Sequence, residues 1–359
     1  MLAGGSRPAH AEGMSSAPEV LVTGGAGFIA AHTVAHLLSQ GYRVRTTARS
    51  LDREAEIRGQ LARLGAEGGD ALTVVAADLL SDDGWVDAVS GCEYVLHVAS
   101  PIPHGEPVNE DDVIRPAREG TLRVLRAARD AGVRRVVLMS AFHAIGFGWG
   151  RTDHVFAEAD WSTLDGPGID AYGKSKTFAE RAAWEFMDAE GGAMELAVLN
   201  PVAVLGPVVS AHLSGGNALV ERILGGELRA FPDIWIPIVD VRDVAVAERL
   251  AMVTPDAAGR RFIVGTGDGL KLAQIGSILR EGLGERASRV GTRTVPSWVV
   301  RLAALVNPTF RAVTADLGIV KKIDASSVQR VLGWRSRPVE QTVLDTAESM
   351  LALGVVRVG

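Results

Sequence analysis

Tyr172 and Lys176 are the two side chains whose types and spacing carry the clearest chemical signal. They stand four residues apart in the segment AYGKSK, which opens a predicted helix from Ala171 to about Glu190. Residues four apart share a helical face, so the lysine ammonium can approach the phenol. A nearby positive charge lowers the pKa of a tyrosine from about 10 toward neutrality. The pair is therefore predicted to exchange a proton with a carbonyl/alcohol couple; the alternative is an ordinary solvated helix face.

A glycine-rich turn follows the first predicted strand, EVLVTG, which begins at Glu19. Glycine lets the backbone approach a pyrophosphate closely, and the N–H groups that begin the next helix attract an anion. A structural turn is the alternative for an isolated glycine cluster, but the position between strand and helix favours a dinucleotide site. Its predicted residues are Thr23, Gly24, Gly25, Gly27, Phe28 and Ile29.

The end of the second predicted strand indicates which dinucleotide binds. NAD-binding folds usually place an acid there for the ribose 2′-hydroxyl, whereas this strand ends in TTAR and no carboxylate precedes Asp52. Arg49 can form two charge-assisted bonds to a 2′-phosphate, so NADP(H) is favoured over NAD(H); the alternative is a solvated arginine. Asp78 and Leu79, at the end of the third strand, are predicted to meet the adenine. The alternative for Asp78 is to cap a turn.

The elements that must position these residues alternate between strand and helix from Glu19 onward. This order predicts an α/β fold of the Rossmann type, a doubly wound parallel sheet, with a smaller and irregular α/β substrate-binding lobe. Residues 1–17 are predicted to be a flexible leader, with Met14 as an alternative start. We expect a dinucleotide-binding domain over 18–205 and mainly the second lobe over 206–359, with some interleaving.

Composition limits the remaining classes of function. The 359 residues are 47% hydrophobic and carry a net charge of −6, which excludes a disordered chain and a broad cationic surface for nucleic acid. Cys92 is the only cysteine, so no internal disulfide or cysteine-based zinc site can form, and we expect no metal and a reducing cytoplasm. No apolar run reaches the ~20 residues of a membrane helix. The expected assembly is a monomer or a homodimer.

The chain resembles the extended short-chain dehydrogenases/reductases, most closely the dihydroflavonol 4-reductase and carbonyl (aldehyde) reductase-like branch. The resemblance runs from about Glu19 to Leu353 and rests on VTGGAGFIA, TTARS, AADL, HVASP, AYGKSK, NPVAVLGP and VDVRDVA. It implies NADP(H) in the first lobe, hydride transfer at the carboxyl edge of the sheet and a substrate pocket shaped by the second lobe. It also implies that the nicotinamide is flanked by Val98, Ala99, Ser100, Pro201, Val202 and Val204.

The same resemblance exposes a departure in the catalytic machinery. The family places a catalytic serine or threonine just after the fifth strand, and Ala141 stands at that position here. Ser140 precedes it and is predicted to face the opposite side of a continuing strand. Losing one oxyanion donor typically costs ~10²–10³ in rate. Three explanations stay open: a bulge turns Ser140 inward as the catalytic hydroxyl, His143 or Ser100 helps, or the chain is a weakened or altered catalyst.

A substrate pocket is predicted between the fifth strand and Tyr172, where aromatic residues cluster. The commoner alternative for such residues is the hydrophobic core. The pocket candidates are Pro101, Phe142, His143 and Trp149, with Phe147, Phe156 and Trp161 nearby.

The activity predicted from these features is NADPH-dependent reduction of a ketone or aldehyde to its alcohol. Tyr172 acts as general acid/base, and Lys176 lowers the tyrosine pKa and holds the nicotinamide ribose. One alternative is a nucleotide-sugar epimerase or dehydratase with tightly bound NAD, against which Arg49 argues. Another is a catalytically weak NADP-sensing or interaction protein, supported by Ala141.

Overall fold

The computed structural model describes residues 18–101, 109–213, 215–306 and 314–357; the predicted leader, 1–17, lies outside them. At the centre is a sheet of seven strands in which every neighbouring pair runs parallel. Strands are numbered along the chain. From one edge to the other they are β3 (Leu72–Ala76), β2 (Arg43–Ala48), β1 (Glu19–Val22), β4 (Tyr94–His97), β5 (Arg135–Met139), β7 (Glu195–Pro201) and β11 (Arg260–Val264).

These strands are apolar runs because helices cover both faces of the sheet. In β5, Val137 and Met139 enter one core and Val136 and Leu138 enter the other. The first core lies under α1 (Phe28–Ser39), α2 (Glu54–Arg63), α7 (Val241–Val253) and α10 (Ser326–Leu332). The second lies under α3 (Trp85–Val89), α4 (Asp111–Asp130) and α5 (Ala171–Glu190).

The order of the strands reverses at β1, whose neighbours are β2 and β4. The chain leaves β1 toward α1 on one face and leaves β4 toward α4 on the other. In open parallel sheets the crevice at the carboxyl ends of such strands is where ligands bind. The predicted doubly wound sheet is confirmed, and it brings the predicted site segments to one edge.

A second lobe is built mainly from the later part of the chain. Its three-stranded sheet contains β8 (Ala203–Leu205), β10 (Trp235–Asp240) and β12 (Thr266–Lys271), and a smaller one pairs β9 (Ala230–Pro232) with β13 (Arg293–Val295). Around them lie α6 (Gly215–Leu224), α8 (Leu272–Leu283), α9 (Ser297–Ala303) and α11 (Val339–Ala352). Leucine, isoleucine and valine side chains of α6, α8 and α11 share a third core with Phe231.

The two lobes interleave. β11 and α7 follow residue 206 in the chain, yet β11 completes the large sheet and α7 packs on α1. In addition, β6 (Val155–Phe156) pairs in parallel with β14 (Lys322–Ile323). The division at 205/206 stays a prediction, and the interleaving means that no single cut separates the lobes.

Among the described residues, no helix has the length and apolar character needed to cross a membrane. The same ranges hold no group of three histidine, cysteine, aspartate or glutamate side chains placed to hold a metal ion.

Candidate active site

Thr23 joins the ends of β1 and β4 at the point where the strand order reverses. Its buried hydroxyl oxygen accepts hydrogen bonds from the N–H groups of Val98 (3.1 Å) and Ala99 (2.9 Å) and lies 2.9 Å from Nδ1 of His97. Burial lowers the pKa of His97 to about 3, and the charge of Lys176 adds to that effect. The imidazole is therefore neutral at neutral pH.

The glycine turn leaves no room for side chains. Gly24 has a φ of +77°, and a Cβ there would lie 2.9 Å from the Cβ of Ala99; a Cβ on Gly25 would lie 2.4 Å from Oγ1 of Thr46. Helix α1 then begins with Gly27 as its N-cap, with no side-chain cap and no acidic residue in its first turn. Among the described residues, no side chain pairs with the N–H groups at this positive helix end, which suits the phosphates of a dinucleotide.

Arg49 lies directly after β2 at the same edge of the sheet. It is exposed and makes no hydrogen bond or ion pair within the part of the chain that the structure describes. The guanidinium is thus available for a phosphate. Asp78 caps a turn, because its carboxylate accepts from the N–H of Leu80 at 3.0 Å, and its contact with the adenine stays a prediction. The side chain of Leu79 is 9% exposed and lies against Gly120 of α4, and its contact with the adenine stays a prediction.

Tyr172 and Lys176 lie in the first turns of α5, which Asp170 caps by accepting from the N–H of Gly173 at 2.7 Å. Tyr172 is 42% exposed, whereas Lys176 is 8% exposed and donates from Nζ to the carbonyl oxygen of Met139 at 3.1 Å. Burial lowers the pKa of Lys176 to about 8, and the carboxylate of Glu180 partly opposes this.

The predicted lowering of the Tyr172 pKa is wrong for this structure. Loss of solvent around the phenol raises its pKa to about 12, and the negative charge of Asp170 adds to the shift. The ammonium of Lys176 points instead to the Met139 carbonyl at the end of β5. The phenol is consequently protonated at neutral pH and poised as a proton donor.

The hydroxyl of Ser140 is engaged inside the protein. Its side chain donates to the buried carboxylate of Glu180 at 2.5 Å, on the α5 side of the strand end. The same carboxylate accepts from Nδ2 of Asn200 at 2.7 Å and from Nε of Arg261. The hydroxyl is therefore used inside the protein, and Ala141, 5% exposed, offers only a methyl group.

Among the predicted pocket residues, Phe142 is buried in the core, whereas His143 and Trp149 are more accessible. Phe142 is 2% exposed and packs edge-to-face on Phe147 and Phe156, so it belongs to the core, which corrects the expectation that it lines a pocket. His143 is half-buried, stacks on Phe147 and meets the ring of Tyr172. Trp149 is 38% exposed and donates from Nε1 to the carbonyl oxygen of Trp161.

The segments expected around a nicotinamide also lie at the carboxyl edge of the sheet. Val98, Ala99, Ser100 and Pro101 directly follow β4 and are half-buried. Pro201 ends β7 and Val202 follows it, and both are buried. Val204 lies in β8 and is half-buried.

Two residues that matter at this site, Glu180 and Asp170, were not predicted from the sequence. Glu180 stands four residues beyond Lys176, on the same helical face, and that spacing was the available signal. Asp170 precedes the helix as a typical N-cap residue, and its charge next to Tyr172 could have been anticipated from that position.

Comparison with known proteins places this geometry in a family. The model of the NAD dependent epimerase/dehydratase family matches residues 20–265. Cinnamoyl-CoA reductase 1 of Oryza sativa is 38% identical over 266 residues, covering 73% of this chain and 75% of that protein. Ketoreductase azaE of Aspergillus niger is 30% identical over 359 residues, covering 94% of this chain and 98% of that protein.

A solved structure extends the likeness across both lobes. Yeast methylglyoxal/isovaleraldehyde reductase Gre2, complexed with NADPH, superposes with a TM-score of 0.76 at 27% identity, covering 94% of this chain and 99% of that one. The chain therefore belongs to the NAD dependent epimerase/dehydratase family, within the extended short-chain dehydrogenases/reductases, in the branch of the dihydroflavonol 4-reductase-like and carbonyl reductases.

Proposed function

We propose that this protein is an NADPH-dependent reductase that interconverts a small ketone or aldehyde and the corresponding alcohol. The observation that carries the proposal is the position of Tyr172, 42% exposed at the carboxyl edge of the sheet and one helical turn from the buried Lys176. The glycine turn at β1 opens on the same edge. The names of the relatives, which include a ketoreductase and an aldehyde reductase, support the same chemistry.

The residues at this edge fit NADPH. The first turn of α1 would hold the pyrophosphate, and the unpaired guanidinium of Arg49 would hold the 2′-phosphate. The nicotinamide end would lie between the segments that follow β4 and β7. When bound, NADPH supplies a hydride to the carbonyl carbon and leaves as NADP⁺.

Tyr172 handles the proton of the reaction. As negative charge develops on the substrate oxygen, the phenol donates its proton to that oxygen, because an alkoxide is far more basic than a phenolate. Tyr172 then recovers a proton before the next turnover. Lys176, whose ammonium is held at the strand end by the Met139 carbonyl, would hold the nicotinamide ribose of NADPH.

The alternative activities meet specific observations. An epimerase with resident NAD would gain from an acid at the end of β2, where Arg49 stands instead. A sensor without turnover is favoured by one feature, the methyl group at Ala141 with the Ser140 hydroxyl used by Glu180.

The test is NADPH oxidation, followed by absorbance, with a panel of aryl and aliphatic aldehydes and ketones. We expect turnover in the wild type and a loss of about 10²–10⁴ in kcat for Tyr172→Phe. Tyr42→Phe, at the distant start of β2, is the matched control and retains activity. A Tyr172→Phe enzyme as fast as the wild type would remove the proposed acid, and NADPH binding without turnover on any carbonyl would favour the sensor.

The cellular setting is part of the same proposal. We place the enzyme in a reducing cytoplasm, as a monomer or homodimer that acts on small molecules. The single cysteine, Cys92, is buried, and burial raises the pKa of its thiol to about 11, so it is no reactive thiolate.

A further inference from the structure

The developing alkoxide needs more than one hydrogen-bond donor. Donors fixed in advance around an oxyanion supply a large share of the stabilisation in reactions of this type. Tyr172 is one donor. At the end of β5 the Ser140 hydroxyl is directed to Glu180 and Ala141 has no donor to offer. A second donor therefore has to come from another side chain that reaches Tyr172.

His143 is that side chain by position. It lies in the 3-10 turn of Phe142–Ala144, immediately after Ala141. Its imidazole stacks on the ring of Phe147, with centroids 4.0 Å apart and an angle of 13° between the planes. The same imidazole meets the ring of Tyr172 nearly at a right angle, at 76° and a centroid distance of 5.1 Å. The stacking holds the imidazole in a fixed orientation beside the catalytic phenol.

The surroundings of Phe147 make this stack rigid. The ammonium of Lys321 lies over the Phe147 ring, 4.1 Å from its centroid, and is itself held by Asp316 at 2.6 Å. The half-buried imidazole thus sits on a ring that is fixed from the second lobe. A donor positioned in this way loses little conformational freedom when it binds an oxyanion.

The imidazole is also in the right state to donate. Its ring nitrogens make no hydrogen bond to any residue that the structure describes. Burial lowers the pKa of His143 to about 4; Lys321 and Lys176 act in the same direction, and Asp170 and Asp316 oppose them. The ring is neutral near pH 7 and carries one N–H. Neutral imidazole is known to polarise carbonyl groups in enzymes.

We propose that the imidazole N–H of His143 is the second hydrogen-bond donor to the substrate oxygen, beside the Tyr172 hydroxyl. The proposal rests on the proposed reductase function. His143 keeps its proton throughout, Tyr172 gives its proton to the oxygen, and the hydride brings the electron pair to carbon. His143 thereby performs with a nitrogen the task that a hydroxyl at position 141 would perform.

The test compares two substitutions that separate the donor from the packing. His143→Phe keeps an aromatic ring on Phe147 and removes the N–H, so we expect kcat to fall ~10²–10³-fold. NADPH affinity, measured by fluorescence, and the melting temperature should stay at wild-type values. His143→Gln restores an N–H donor, and we expect it to recover kcat to within about tenfold of the wild type.

His154→Phe is the matched control. His154 also stacks on an aromatic ring, that of Trp149 at 4.9 Å, but its Nε2 is bonded to Asp160 at 2.8 Å. Its kcat should be that of the wild type. Full turnover in His143→Phe, with turnover lost in Tyr172→Phe, would overturn the role of His143 and leave the reductase assignment intact. A His143→Gln enzyme as slow as His143→Phe would also overturn it, since packing alone would then explain both. Full turnover in Tyr172→Phe would instead contradict the proposed function itself.

Discussion

The hydroxyl of Ser140 donates to the carboxylate of Glu180 at 2.5 Å, and this bond lies directly behind the catalytic pair. Glu180 is fully buried and also binds Asn200 and Arg261. Asn200 in turn donates to the carbonyl oxygen of Ala141 at 3.2 Å. The cluster therefore connects the end of β5 to α5, β7 and β11. It also fixes the strand end at which the carbonyl oxygen of Met139 accepts a hydrogen bond from Lys176.

Ser140→Ala should affect stability more than turnover. A buried carboxylate that loses a hydrogen bond costs about 1.5–3 kcal/mol, whereas the hydroxyl makes no contact that the chemistry uses. We expect a loss of that size in urea unfolding and a kcat close to that of the wild type. A kcat reduced ~100-fold in a variant of unchanged stability would identify Ser140 as the oxyanion donor and contradict this prediction.

Glu180→Gln should move the alkaline limb of the pH–rate profile. The negative charge of Glu180 raises the pKa of Lys176, which burial has lowered to about 8. Without that charge the Lys176 pKa falls further, so the lysine loses its proton at lower pH. Because the phenol of Tyr172 titrates only near 12, Lys176 is the first of the two to deprotonate. We expect the decline of kcat at high pH to begin at lower pH in the variant.

The matched control for this profile is Glu185→Gln. Glu185 lies on the same helix, is exposed and is not part of the cluster around Ser140. Its profile should coincide with that of the wild type. If Glu180→Gln gave an unchanged alkaline limb at reduced stability, Glu180 would have a structural role only.

The sequence predicted the large sheet well because its strands and helices carry strong local patterns. Buried parallel strands such as β5 read as unbroken apolar runs, and in helices such as α8 the apolar residues recur with helical period. The two-residue strands β6 and β14 were not predicted. Such strands are too short for any period, and their pairing joins residues more than 160 positions apart.

The site was predictable in its positions and less so in its electrostatics. One edge of the sheet holds the glycine turn, Arg49, Tyr172 and Lys176. The order of parallel strands and helices is enough to predict this, because the carboxyl ends of parallel strands lie at the same edge. The direction of the Tyr172 pKa shift was not predictable, because it depends first on how far the folded protein buries the phenol and then on the charge of Asp170. A glutamate such as Glu180 is normally assigned to the surface, and its burial follows from partners contributed by three other elements.

Arg49→Ala should weaken the binding of NADPH but not that of NADH. A charge-assisted hydrogen bond contributes about 1.5–3 kcal/mol, so the Kd for NADPH should rise roughly 10–100-fold while the Kd for NADH hardly changes. Fluorescence titration with both cofactors measures the effect. Arg43→Ala is the control, since Arg43 is exposed at the opposite end of β2. Equal losses for the two cofactors would show that Arg49 does not read the 2′-phosphate.

Glu248 places an ionisable group in the interface between α7 and α1. It is fully buried and contacts the hydroxyl of Thr33, which also donates to the carbonyl oxygen of Ile29 at 3.0 Å. The hydroxyl has one hydrogen, so it donates either to Ile29 or to Glu248 at any one time. Burial raises the pKa of Glu248 to about 8, and the bond to Thr33 partly opposes this.

Glu248→Gln should remove a pH dependence of stability. The folded state holds the proton up to about pH 8, whereas the unfolded chain releases it near 4.5, so wild-type stability falls as pH rises through this window. The limiting slope is about 1.4 kcal/mol per pH unit. Glutamine stays neutral, so its unfolding free energy should exceed that of the wild type by a margin that grows from pH 5.5 to 7.5, measured by urea unfolding. Glu281→Gln, an exposed site on α8, should follow the wild-type curve. Parallel curves for wild type and Glu248→Gln would mean that Glu248 is ionised in the folded protein throughout this range.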